Sequence, residues 1–109
     1  MSATELDRTV GLLVRQVGHW QQPRWAAGAD GGDGSRADHL HRLVQKLADL
    51  GADAEGGPRR RVPRLANDLA LVDQLRVVAA DLVAAAPPKE VLARAAAEVA
   101  ATRDALGAR

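Results

Sequence analysis

Two short segments hold most of the side chains able to do chemistry. One is His19-Trp20-Gln21-Gln22-Pro23-Arg24-Trp25, which carries both aromatic residues of the sequence; the other is Arg59-Arg60-Arg61-Val62-Pro63-Arg64. An indole offers a broad apolar face, one N–H and an attraction for a cation over the ring. Trp20 and Trp25, with Arg24 between them and His19 alongside, therefore suit recognition better than bond making. Pro23 interrupts any continuous helix here, so the two rings need not obey helical spacing. Trp20 is expected to complete the apolar stripe of the preceding helix and belong to the core. Trp25, next to a glycine-rich stretch, is expected to be the ring presented to a partner. The competing expectation is that both indoles cap the open end of a helical bundle.

The cluster Arg59, Arg60, Arg61 and Arg64 is the one concentration of like charge. It stands ahead of a helix, where the positive end of the macrodipole disfavours cations, so helix stability does not explain it. Guanidinium groups bind carboxylates and phosphates. That leaves a solvated loop, an acidic protein partner or nucleic acid. Nucleic acid is the weaker binding alternative, because the last helix offers only Lys89, Arg94 and Arg103, widely spaced among alanines, and no recognition helix is evident.

Catalytic chemistry is poorly supplied. Ser2 and Ser35 have the form of helix caps, and Thr4, Thr9 and Thr102 lie on helices with no histidine nearby in sequence. His39 and His41, two residues apart, point to different sides of a helix and do not readily share a metal ion. Glu5, Glu55, Glu90 and Glu98 are scattered. Asp73 falls between the core positions Val72 and Leu75, and would need a cation such as Arg76, Arg94 or Arg103 if it faced inward. The glycines of 26–34 lack the preceding strand and the Gly-Lys-Ser/Thr ending of a phosphate loop. Asp30 and Asp33 lack the ligand ladder and closing Glu of a calcium loop. No catalytic residue, metal or cofactor is assigned.

Composition sets outer bounds. The 109 residues have room for one domain, and a net charge of +1 means that any electrostatic role is local. Lys46 and Lys89 are the only lysines, and the Arg and Ala excess fits a high-GC bacterial genome as well as it fits selection for guanidinium chemistry. There is no cysteine, so nothing calls for an oxidising compartment. The N-terminus lacks the basic and apolar regions of a secretion signal. The apolar run from Val77 to Ala86 is interrupted by Asp81 and falls well short of the roughly 20 residues that span a bilayer. A cytoplasmic location without membrane contact is expected.

Four helices must position these residues. Leu6, Val10, Leu13, Val17 and Trp20 form one stripe over about 3–20, with Ser2 and Glu5 as a capping box. Leu40, Leu43, Leu47 and Leu50 outline a helix over 35–54, begun by Ser35 and Asp38 and ended by Gly51 or by Gly56-Gly57-Pro58. Leu65, Leu69, Val72, Leu75, Val78 or Ala79, and Leu82 outline a third over 64–86, stopped by Pro87-Pro88. Val91, Leu92, Ala95, Ala96, Val99 and Leu106 face inward from a fourth over 88–106, with Gly107 as its stop. Residues 26–34 read as a flexible linker and 55–63 as an Arg-rich loop.

The expected fold is thus all-α, a small antiparallel four-helix bundle in a single domain covering 1–109, with its last two helices as a tight hairpin. Alanine-rich packing in the fourth helix makes a thin core, which a homodimer would relieve. The expected function is a non-catalytic cytosolic interaction or regulatory module acting by protein–protein contacts. The alternatives are a ligand- or nucleic-acid-binding regulator using the Trp segment and the Arg loop, and, third, a small enzyme with carboxylate chemistry.

Overall fold

A computed structural model describes residues 2–29 and 34–107. Among the described residues five α-helices form: α1 (Ala3–Val17), α2 (Gln22–Ala26), α3 (Arg36–Glu55), α4 (Leu71–Ala84) and α5 (Lys89–Leu106), with a 3-10 turn at Asp68–Ala70 leading into α4. The all-α bundle read from the sequence is the fold. Its core among the described residues is Leu, Val and Ala with the two Trp, and no polar side chain is fully buried in it.

Both expected serine caps act, the one at α1 through the Ser2 side chain alone and the one at α3 as a full capping box. Ser2 Oγ accepts the Glu5 N–H at 3.2 Å and starts α1, which buries Leu6, Val10, Leu13 and Val17. At α3 the capping box is complete: Ser35 Oγ accepts the Asp38 N–H at 3.1 Å, and Asp38 Oδ2 accepts the Ser35 N–H at 2.9 Å. Gly56 ends α3 with φ at 73°, a conformation that favours glycine. Gly51 stays inside the helix. A Cβ there would lie 3.8 Å from the Leu82 Cα, so α3 and α4 approach closely at this point.

Two boundaries differ from expectation, and a short helix outside the expected four, α2, is added. The first helix ends at Val17, and a turn with the Trp20 N–H on the Val17 carbonyl at 2.9 Å brings Trp20 back to the core. Pro23 keeps α1 from running on through this segment, yet it also sits in the first turn of α2, where its missing N–H costs nothing. The third helix does not begin at 64. Residues 57–67 form neither helix nor strand, and Asn67 Oδ1 accepts the Leu69 N–H at 3.0 Å to open the 3-10 turn. Leu65 and Leu69, assigned to the core stripe, are consequently 44% and 43% exposed. Asp73 also points outward, with Arg76 at 3.9 Å.

Helix direction is evident from which ends meet. Gln16 near the end of α1 donates to the carbonyls of Arg103 and Gly107 at the end of α5, while Arg36 at the start of α3 donates to the Leu106 carbonyl. Arg64, ahead of α4, pairs with Asp38 at the start of α3, and Gly51 late in α3 meets Leu82 late in α4. Hence α1 and α5 run one way, α3 and α4 the other. The expected antiparallel relation holds for α3 with α5 and for α1 with α4, whereas α1–α5 and α3–α4 are parallel neighbours. Long connections over 18–35 and 56–70 permit this arrangement. The tight hairpin of α4 and α5 is corrected too: although joined by residues 85–88, they pack chiefly on α3 and α1 rather than on each other.

The stretch expected as a flexible linker, 26–34, is pinned at both described ends. The Arg36 N–H donates to the Ala27 carbonyl at 2.9 Å and the Ala29 N–H to the Gly34 carbonyl at 3.3 Å. Its middle, 30–33, with Asp30 and Asp33, lies outside the described residues.

Candidate functional site

The end of the bundle where α1 and α5 stop and α3 begins is built around Trp20. Its ring meets Trp25 edge to face, with centroids 5.1 Å apart. The guanidinium of Arg24 lies 4.7 Å from the Trp20 ring centroid, and that of Arg36 lies 5.5 Å from it. Arg36 also donates to the Leu106 carbonyl at 3.1 Å and to the Arg24 carbonyl at 3.3 Å. A cation at the first turn of α3 opposes that helix's dipole, but here the charge stands against the negative end of α5. Arg36 was missed from sequence; an arginine in an unfavourable helix position was the available signal.

Both indoles are interior: Trp20 is 2% and Trp25 is 1% exposed. The expectation that Trp25 is presented to a partner is therefore corrected. The one-and-a-half turns of α2 swing it inward against α3 and Trp20, and Arg24 is half-buried in the same cluster. His19 remains exposed at the end of α1. The Trp20 Nε1–H is buried without an acceptor in the structure.

The Arg-rich segment has a different character. Residues 57–67 run back along α3 as a strap, held by side chains rather than by a helix or sheet of its own. Gln45 Nε2 donates to the Arg60 carbonyl at 3.0 Å, and Gln45 Oε1 accepts the Val62 N–H at 2.8 Å. One carboxamide thus satisfies a donor and an acceptor two residues apart, as a neighbouring strand would. His41 Nε2 lies 3.1 Å from the Val62 carbonyl, and Gln74 Nε2 donates to the Pro63 carbonyl at 3.1 Å. Gln45 and Gln74 were not sequence candidates and His41 was weighed only as a metal ligand, because nothing in a sequence links a helix residue to the particular strap backbone group it bonds.

The four arginines divide into two pairs. Arg59 grips Asp53 with two bonds, at 3.0 and 2.7 Å, and Arg64 bridges Asp38 at 2.8 Å and Asp68 at 3.2 Å. The Arg64 guanidinium, then the Ser35 N–H, hold the Asp38 carboxyl down at about 2. Arg59 similarly lowers Asp53. Arg60 and Arg61, between these anchors, are exposed and form no ion pair among the described residues. Both line a groove of about 410 Å3 between α3, the strap and α4, whose floor is Leu47, Gly51, Val62, Pro63 and Val78. Glu55 and Asp81 stand on its other borders. On the far side of the strap, Arg59, Arg60 and Arg61 border a second groove with His41, Arg42 and Asp49.

The two regions are separate: the Trp cluster closes one end of the bundle, and Arg60 and Arg61 flank the side of α3. Among the described residues, nothing brings a nucleophile, a base and an activating group together at either one. Comparison of the chain with protein families, with curated proteins and with solved structures yields no match. No helix among the described residues is long and apolar enough to cross a membrane.

Proposed function

We propose that this chain is a non-catalytic helical interaction module that docks a protein partner on the face formed by the Arg strap, α3 and α4. The observation that carries the reading is the division among the arginines: Arg59 and Arg64 fasten the strap to carboxylates of the bundle, and Arg60 and Arg61 are left exposed beside an apolar groove. Because the backbone of the strap is already fixed, pairing with an incoming carboxylate costs the side-chain rotamer freedom of the arginine but no loop ordering. An adjoining apolar floor supplies the area that a lone charge pair lacks. A cytosolic location belongs to the same proposal, and the cysteine-free composition makes no demand for an oxidising compartment.

The alternative of a regulator that reads a ligand with its Trp segment loses its main support, since both indoles are interior. The homodimer belongs to the same proposal: α5 turns Ala93, Ala97, Ala100 and Ala101 outward, and Val77 of α4 is 58% exposed.

Affinity capture from the native cell extract, with wild type beside an Arg60→Gln, Arg61→Gln double variant, tests the docking face. A discrete protein retained by the wild type and lost from the variant is the expected result. Identical capture by both overturns the assignment of this face.

A further inference from the structure

Resting on that docking face, we infer that its partner presents an acidic segment carrying one apolar side chain, which seats in the groove between α3, the strap and α4 while neighbouring carboxylates pair with Arg60 and Arg61. The geometry separates the two requirements. Leu47, Gly51, Val62, Pro63 and Val78 form a floor with no charge on it, and Gly51 contributes depth by having no side chain. Arg60 and Arg61 border it on the strap side, on a stretch of backbone held against the bundle by Gln45, His41 and Gln74. A segment whose apolar residue is flanked by Asp or Glu meets both features at once.

Charge distribution favours a peptide over a nucleic-acid backbone. A nucleic acid strand carries a negative charge at every phosphate and gains affinity with each cation it meets. Here the cations are discontinuous. Glu55 and Asp81 border the groove itself, Asp49 borders the second groove, and Arg59 and Arg64 are already engaged by Asp53, Asp38 and Asp68. A continuous phosphate chain laid along the strap would meet carboxylates on both sides, whereas two or three discrete carboxylates would reach Arg60 and Arg61 and avoid the others. The acidic border also disfavours a long uninterrupted acidic run, so the charges of the partner segment should be few and placed beside its apolar residue.

The test uses the whole chain, isotopically labelled, and a synthetic peptide, Gly-Ser-Ser-Glu-Leu-Asp-Ser-Ser-Gly, followed by amide chemical shifts. The expected result is saturable binding with a Kd of about 0.1 to 1 mM, the range for a single short segment, with shifts confined to 47–63 and 74–82. A peptide with Asn and Gln for its acids, a peptide with Ser for its Leu, and the Arg60→Gln, Arg61→Gln protein should each bind at least about ten-fold more weakly. Both arginines are exposed, so the variant's helicity and melting temperature should match the wild type and show that it is folded. Equal binding of the neutral peptide overturns the inference, as does no binding of the acidic one at several millimolar. Tighter binding of a single-stranded oligonucleotide of equal charge, displacing the peptide, overturns it in favour of nucleic acid. Failure here with arginine-dependent capture of a protein intact removes only the segment chemistry; identical capture by wild type and variant removes the docking face itself.

Discussion

Gln45 accepts the Val62 N–H at 2.8 Å and, through the same carboxamide, donates to the Arg60 carbonyl at 3.0 Å. This one side chain fixes the stretch of backbone from which Arg60 and Arg61 project. Gln45→Ala leaves a donor and an acceptor of the strap without partners, a loss of about 1 to 2 kcal/mol to the extent that water does not replace them. Urea unfolding should show that loss, and partner binding should fall with it. Gln45→Glu keeps the acceptor for Val62 but sets a carboxylate against the Arg60 carbonyl, so it should recover only part of the stability.

Burial of both indoles predicts that Trp20→Ala and Trp25→Ala are alike in cost. Each should lower unfolding free energy by roughly 3 to 5 kcal/mol, the range for aromatic truncation in a core. Chemical denaturation of the two single variants decides it. A Trp25→Ala protein as stable as the wild type would be incompatible with the interior placement of that ring.

The depressed Asp38 carboxyl makes stability depend on acid. Its folded value, about 2, lies below the ordinary carboxylate value, so the charged form favours folding. The contribution is fully present above about pH 4, the unfolded range of an Asp, and is lost as pH falls toward 2. Asp38 is partly exposed, and solvent screening keeps the effect modest. Melting temperatures on acidification from neutral pH should fall less steeply for Asp38→Asn than for the wild type, from a lower starting value.

Glycine substitutions probe the helix packing. A Cβ at Gly51 meets Leu82 at an ordinary contact distance of 3.8 Å, and one at Gly11 meets nothing within 4 Å. Gly51→Ala and Gly11→Ala should each stabilise the protein, by up to about 1 kcal/mol, through helix propensity. Gly51→Leu should force α3 and α4 apart and destabilise by about 1 to 3 kcal/mol. Thermal melts of the three variants check the contrast.

The helical stripes and caps were legible because they depend on neighbours in sequence. Ser35 with Asp38, Gly56, and the buried series Leu40, Leu43 and Leu47 all report local geometry. The start of the third helix was misjudged because Leu65 and Leu69 continue the apolar spacing on paper. Asn67 followed by Asp68 was a cap signal that outranked them, and side chains from α3 and α4 claim the strap's backbone. The parallel relation of α3 to α4 was not legible: it depends on a crossover whose path is set by Gln45, His41 and Arg64. For the candidate site, the four arginines were visible as a cluster. Their division into anchors and exposed groups depends on Asp53, Asp38 and Asp68, whose positions only the fold determines.

The docking face is tested most sharply by calorimetric titration of the captured partner into wild type and into the Arg60→Gln, Arg61→Gln double variant, at low and high salt. Wild-type binding should weaken with salt, and the variant should bind at least about ten-fold more weakly at an unchanged melting temperature. Equal affinities for the two proteins, with both folded, would show that the exposed arginines do not hold the partner.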